Sequence, residues 1–177
     1  MRKIIVGISG ASGVRLGEKF IKALPKNEFE IYVITSQNAK IVAKKEENIT
    51  LLDNNDIAEV TASGSFGAEM MAIIPCSMNT LAKIAYGISD NLLTRSAAVM
   101  IKERKTLLLA PRELPYSAIA LENMHKLSLL NVIIAPPNIG YYADIKTLED
   151  MEDFLIGKWF DLLKIPNSLY KRWGEEK

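Results

Sequence analysis

The chain has 177 residues with 22 Lys+Arg against 21 Asp+Glu, a net charge of +1, which leaves room for one domain and excludes a dedicated nucleic-acid surface, since backbone phosphates need accumulated positive charge. Hydrophobic residues make up 49% of it, enough for a core, yet no apolar run approaches the ~18 residues of a membrane span. One cysteine, Cys76, and one histidine, His125, rule out an internal disulfide, a zinc site and any triad not built on His125, and point to a cytoplasmic protein whose chemistry runs on carboxylates, Arg, Lys, Tyr and Ser or on a bound cofactor.

In chain order, the apolar run 3–8 reads as a buried strand, not a signal peptide, because Gly7 interrupts it early. The turn Gly7-Ile8-Ser9-Gly10-Ala11-Ser12-Gly13 follows, and 14–24 has helical period. A second strand, 30–35, ends at Thr35-Ser36, and 38–45 reads as a helix. The stretch 46–67 is the least patterned, with a turn at Asn54-Asn55 and a flexible loop at Ser63-Gly64-Ser65. Strand 70–74 is expected to stop at Pro75, ahead of helices 80–86 and 94–105. Strand 106–110, helix 117–127 and strand 132–135 follow. Helix 147–163 opens on a Thr cap and the acids Glu149-Asp150 and closes before Pro166. This alternation predicts an α/β fold: a Rossmann-like (flavodoxin-like) open parallel sheet with helices on both faces, one domain over 1–165, with a tail, 166–177, packed at a subunit interface.

Ligands of such sheets sit where strand ends lead into helices. The glycine turn offers backbone N–H groups to a phosphate, with Ser9 and Ser12 adding hydroxyls. Its spacing is not G-x-G-x-x-G, and Ser36 stands where NAD would want an acid, so a mononucleotide is favoured over NAD; a plain connecting turn is the alternative. Ser77 and Thr80, in Pro75-Cys76-Ser77-Met78-Asn79-Thr80, have the spacing of an N-cap and its first turn, which serves an anion or simply caps a helix. Arg112-Glu113 lies between Pro111 and Pro115, a stiff placement for an ion pair at a ligand edge. Arg95 and Lys102, seven residues apart, share a helix face; alone they read as a solvated stripe. Tyr141-Tyr142 after the double proline reads as core plugs, His125 as an exposed or partnered helix residue, Cys76 as a buried or loop residue, and the acids 149–153 as helix N-terminal charge rather than a magnesium motif.

Those segments, with Asp90-Asn91-Leu92-Leu93-Thr94-Arg95-Ser96-Ala97, Lys102-Glu103-Arg104 and Glu122-Asn123-Met124, resemble the UbiX (phenylacrylic acid decarboxylase) family of flavin prenyltransferases in the flavoprotein superfamily. The resemblance covers nearly the whole chain. Related cysteine decarboxylases use a histidine after the first helix, and none stands there. The resemblance implies alkylation of reduced FMN at N5 by dimethylallyl phosphate, closure of a second bond at C6, no metal, a homo-oligomer (a dodecamer) with sites between subunits, and a UbiD-type decarboxylase, as in ubiquinone synthesis, as user of the prenylated FMN. It assigns FMN to Gly10, Ala11, Ser12, Ser36, Ser77, Met78, Asn79, Thr80 and Arg112, and the prenyl phosphate to Tyr142, Lys158, Lys102 and Arg95. Glu113 and Glu46 are assigned proton transfer, with Ser12, Arg95 and Lys102 also taking part in catalysis. Glu113 suits that role if burial and Arg112 tune its pKa. Ser96 departs from the commoner Ala, and the segment from Glu46 to Ser63 is shorter than in many members. A direct aromatic-acid decarboxylase and a non-catalytic FMN carrier are the alternatives.

Overall fold

The computed structural model describes residues 1–10, 12–36, 48–143, 145–172 and 174, and the chain divides into two compact units, Met1–Pro136 and Pro137–Lys177. The first holds β1 (Arg2–Ile8), α1 (Val14–Ala23), β2 (Phe29–Thr35), β3 (Ile49–Leu52), β4 (Met70–Cys76), α2 (Met78–Ala85), α3 (Leu92–Lys102), β5 (Thr106–Pro111), α4 (Ala118–Leu129) and β6 (Ile133–Ile134). Its six strands make one sheet in the order β3-β2-β1-β4-β5-β6, with every neighbouring pair parallel. This is the expected Rossmann-like sheet. Gly7 of β1 faces Leu93 of α3, whereas the next residue, Ile8, faces Gly17 of α1. Successive strand side chains alternate, so α1 and α3 cover opposite faces, and a strand covered twice must be apolar along its length. On the α3 side, Ile5, Met71, Ile73, Leu107 and Leu109 share a core with Leu81, Leu93 and Met100.

The approach of α1 to the sheet depends on Gly17. A Cβ there would lie 2.3 Å from the carbonyl oxygen of Ile74 and 2.6 Å from Ile8 Cδ1. A backbone carbonyl inside a central strand cannot rotate away, so Gly17→Ala is expected to destabilise the protein by about 2 kcal/mol, despite the better helix propensity of alanine. The measurement is the urea midpoint; an unchanged midpoint would show that α1 can shift without cost.

Four sequence expectations are corrected. The stretch 46–67 contains an edge strand, β3, which pairs Ile49 with Ile31 and Leu52 with Ile34; its middle residues, Thr50 and Leu51, are exposed, which erased the apolar signal. Pro75 does not end β4. It sits in a register shift between Ile73 and Cys76, where the ladder needs no proline N–H, and pairing resumes at Cys76 with Pro111. Ser63-Gly64-Ser65 is no loose loop: the Ser63 hydroxyl accepts from the Ser65 N–H and caps a 3₁₀ turn, Gly64–Phe66. Helix α3 starts at Leu92 and stops at Lys102, short of residue 105, because Arg104 takes a left-handed φ of 52°. Its start is fixed by Asn54, read from sequence only as a turn. The Asn54 carbonyl accepts from Leu92 N at 2.9 Å and its side-chain oxygen from Leu93 N at 2.9 Å, while the Asn91 side chain accepts from Thr94 N at 3.0 Å. The expected helix 38–45 lies outside the described residues.

In the second unit, a 3₁₀ turn (Tyr141–Ala143) precedes α5 (Leu148–Leu162), whose cap is a Thr147–Asp150 capping box with Glu149 and Asp150 in the first turn. The acidic run is thus helix N-terminal charge. Near the other end, Asp161 accepts from Tyr170 Oη at 2.5 Å, from Asn167 at 2.9 Å and from Arg172 at 2.7 and 3.0 Å. Tyr170 also lies over Gly157, so the tail as far as Arg172 is fastened to its own α5. The Arg172 guanidinium, with help from Tyr170 and Asn167, holds the Asp161 carboxyl at about 2, and burial followed by Asp161 pushes Tyr170 up to about 12.

The signs of the two shifts define a plateau. The lowered Asp161 contributes stability that is complete above about pH 4 and fades as pH falls toward 2; the raised Tyr170 contributes below pH 10 and fades as pH climbs toward 12. Asp161 keeps a quarter of its side-chain surface exposed, so solvent screening reduces its contribution to about 1–2 kcal/mol. Asp161→Asn is expected to speed tryptic cleavage after Lys171 and Arg172 about tenfold at pH 7 by raising the open population of the tail. An unchanged cleavage rate would mean that the ion pair does not hold it.

Candidate functional site

Four neighbouring strands, β2, β1, β4 and β5, end on one edge of the sheet, and the chain leaves β1 and β4 toward opposite faces. The crevice between those two ends is the switch point at which open parallel sheets bind ligands. Gly13, at φ 103°, opens α1 with no side-chain cap, so first-turn N–H groups remain for an anion. Ser77 caps α2: its hydroxyl oxygen accepts from Thr80 N at 3.2 Å while donating to Thr80 Oγ1 at 3.0 Å. Met78 and exposed Asn79 follow on the first turn. Gly10 and Ser12 are exposed on the glycine turn.

Ser9 is a correction. It is fully buried, donates its hydroxyl to the Pro75 carbonyl at 3.2 Å and accepts from Ser77 N at 2.7 Å. Its oxygen therefore fastens the end of β1 to the end of β4 and is spent before any phosphate arrives. Composition cannot distinguish a structural serine from a ligand-facing one; only its burial does.

Ser36 and Arg112 behave differently. Ser36 N donates to the Ile8 carbonyl at 2.9 Å and Arg112 N to the Cys76 carbonyl at 3.2 Å, which anchors both main chains at the crevice. Their side chains do not share that satisfaction: Ser36 Oγ and Arg112 Nε are buried with no hydrogen-bond partner among the described residues. A buried polar atom left unmatched costs about 1–3 kcal/mol, so a polar ligand is the natural complement. A hydroxyl, a guanidinium and two helix N-termini around one crevice form a donor set suited to the phosphate and polar edge of FMN.

The expected Arg112–Glu113 ion pair is absent. Glu113 is exposed and its Oε1 accepts from Leu114 N at 3.1 Å. Cys76, beside Ser77, is fully buried and its thiol is pushed up to about 12 by that burial, which makes it unreactive. His125 is exposed on α4.

The cations on α3 stand apart from one another. Arg95 donates Nε to the Ala62 carbonyl at 3.3 Å. Lys102 ends the helix and pairs with the Glu103 carboxylate. Glu103 lies against Gly64, and the Phe66 carbonyl of the same 3₁₀ turn accepts from Lys3 Nζ at 3.1 Å, at the start of β1. Lys102 thus stands by the amino edge of the sheet, opposite Arg112. In the second unit, Tyr142 meets Phe154 edge-on at 5.7 Å, Phe154 meets Tyr170 at 5.2 Å, and Lys158 Nζ lies 5.9 Å from the centre of the Tyr170 ring. Tyr142 and Lys158 therefore flank one aromatic cluster, which sequence spacing does not reveal. Ala11 and Glu46 lie outside the described residues.

Comparison with known proteins agrees with this geometry. The Flavoprotein family matches residues 1–160. The flavin prenyltransferase UbiX of Helicobacter pylori strain 26695 is 52% identical, across 97% of this chain and 98% of its own. Among solved structures, AnUbiX in complex with FMN and dimethylallyl pyrophosphate superposes with a TM-score of 0.91 at 34% identity, covering 99% of each chain. A dodecameric FMN-dependent UbiX-like decarboxylase from Escherichia coli O157:H7 gives 0.90 at 33% identity, covering 98% of this chain and all of its own. With its switch-point crevice, its unmatched serine and arginine and these likenesses along its whole length, the chain belongs to the Flavoprotein family and, within it, to the UbiX flavin prenyltransferases.

Proposed function

We propose that the protein transfers the dimethylallyl group of dimethylallyl phosphate to reduced FMN and so makes prenylated FMN. The observation that carries the reading is the pair of buried, unmatched polar atoms, Ser36 Oγ and Arg112 Nε, at the ends of β2 and β5, which flank the β1–β4 crevice on either side, in a chain 52% identical to a named flavin prenyltransferase. In this reading Gly10, Ala11, Ser12, Ser36, Ser77, Met78, Asn79, Thr80 and Arg112 surround FMN. Arg95, Lys102, Lys158 and Tyr142 hold the prenyl phosphate, and Glu113 and Glu46 move protons.

Reduced FMN supplies the nucleophilic N5 and C6 positions. The residues supply the rest. Breaking an allylic C–O bond leaves positive charge on carbon and negative charge on the departing phosphate, so fixed guanidinium and ammonium groups at the phosphate lower the barrier. A monophosphate is neutralised by such side chains without a metal. The Glu113 carboxyl gives a proton to the leaving phosphate oxygen and takes one back from flavin C6, which returns it to its starting state. Because Lys102 stands by the sheet edge opposite Arg112 in its own chain, it serves the site of a neighbouring copy; the dodecameric E. coli relative supports that assembly, in which the 166–177 tail lies at an interface. Covered by such a neighbour, Glu113 would gain the burial it lacks in a single chain. The product passes to a UbiD-type decarboxylase in the cytoplasm, as in ubiquinone synthesis.

The test is a coupled assay with mass spectrometry. Reduced FMN and dimethylallyl phosphate, incubated with the protein, are expected to yield inorganic phosphate and a flavin heavier by one five-carbon unit. Unchanged FMN with no phosphate released overturns the reading. Carbon dioxide released from an aromatic acid by the chain alone would establish the decarboxylase instead.

A further inference from the structure

We propose that Thr61 and Ser96 form a positioning pair that sets the guanidinium of Arg95 for the phosphate; the inference rests on the assignment of Arg95 above. The two hydroxyl oxygens lie 2.8 Å apart, and the residues are only 1% and 0% exposed. Each hydroxyl is thus withheld from water and meets the other, an arrangement that resists slippage because breaking it strands two buried polar atoms. The bond ties α3 to the short 3₁₀ turn Val60–Ala62.

The neighbouring residues turn this tie into a device. Ala62, which follows Thr61, offers the carbonyl that accepts Arg95 Nε at 3.3 Å, and Arg95 immediately precedes Ser96. Two adjacent residues on the turn and two on the helix close a ring of paired contacts, one buried and one at the surface. With Nε engaged, the two terminal amino groups of Arg95 have no partner among the described residues and remain as the planar fork that matches phosphate oxygens. An exposed arginine otherwise loses rotamer freedom when it grips a ligand. A carbonyl held still by the Thr61–Ser96 bond bears part of that cost during folding. Thr61 and Ser96 touch no substrate; they act through Arg95.

Thr61→Val keeps the shape and deletes the bond. It is expected to raise KM for dimethylallyl phosphate about three- to tenfold while the Kd for FMN stays within about twofold, whereas Thr61→Ser, which keeps the hydroxyl, should retain the parental KM. In an Arg95→Ala background Thr61→Val should add nothing, because the group it positions is gone. Ser96→Ala is read through the same cycle should the valine variant fail to fold. An unchanged KM in Thr61→Val, or a full additive rise on top of Arg95→Ala, overturns the positioning role while leaving Arg95 a phosphate ligand. If Arg95→Ala itself leaves KM unchanged, the assignment of Arg95 falls and the inference with it.

Discussion

Exchange of Glu113 for glutamine is expected to slow phosphate release from dimethylallyl phosphate by about two to four orders of magnitude, the usual contribution of a positioned acid–base group. FMN binding should stay within about twofold of the parent. The substitution is nearly isosteric, and the amide oxygen can still accept from Leu114 N, as Glu113 Oε1 does at 3.1 Å, so loop geometry is retained while proton exchange is lost. A non-catalytic carrier would show no change at all. Turnover should be followed in single-turnover mode, so that slow product release does not mask the chemical step. Parental turnover in the glutamine variant would remove Glu113 from the mechanism.

For Arg112, binding rather than turnover changes most. Arg112→Ala should weaken FMN about a hundredfold, close to the 2.7 kcal/mol expected for a charge-assisted, bidentate contact. Arg112→Lys should fall between, because it keeps the charge and loses the fork. The fold should barely respond: the main-chain N–H still donates to the Cys76 carbonyl, and the side-chain Nε has no partner among the described residues. Deleting an unmatched buried polar atom is neutral or slightly stabilising without ligand. Flavin fluorescence titration, read beside the thermal midpoint without ligand, separates the two effects. A large drop in that midpoint, or unaltered flavin affinity, would contradict the assignment.

Much of the fold was legible in the sequence because burial on both faces leaves an unbroken apolar signature. Runs such as 3–8, 70–74 and 106–110 are readable without knowledge of their neighbours. The edge strand Ile49–Leu52 was not, since a strand with exposed residues and one partner carries half the signal. Pro75 misled because its usual role as a terminator assumes a regular ladder, and a register shift removes that assumption. At the site, residue type identified the donors but not their loyalties. Ser9, Ser36 and Ser77 look alike on paper, yet the first is structural, the second unmatched and the third a cap. The α3 cations show the same limit: a seven-residue spacing fixes a shared helix face, but says nothing of which sheet edge each one reaches.

The Ser9 hydroxyl has one more consequence. By bonding both the Pro75 carbonyl and the Ser77 amide, it makes the departures from the two central strands a single rigid jaw. A flavin arriving there meets a mould already cast, and little disorder has to be quenched at the moment of capture. Grip of this kind comes from readiness more than from the number of contacts, which suits a catalyst that must take up a loose flavin, alter it and let it go.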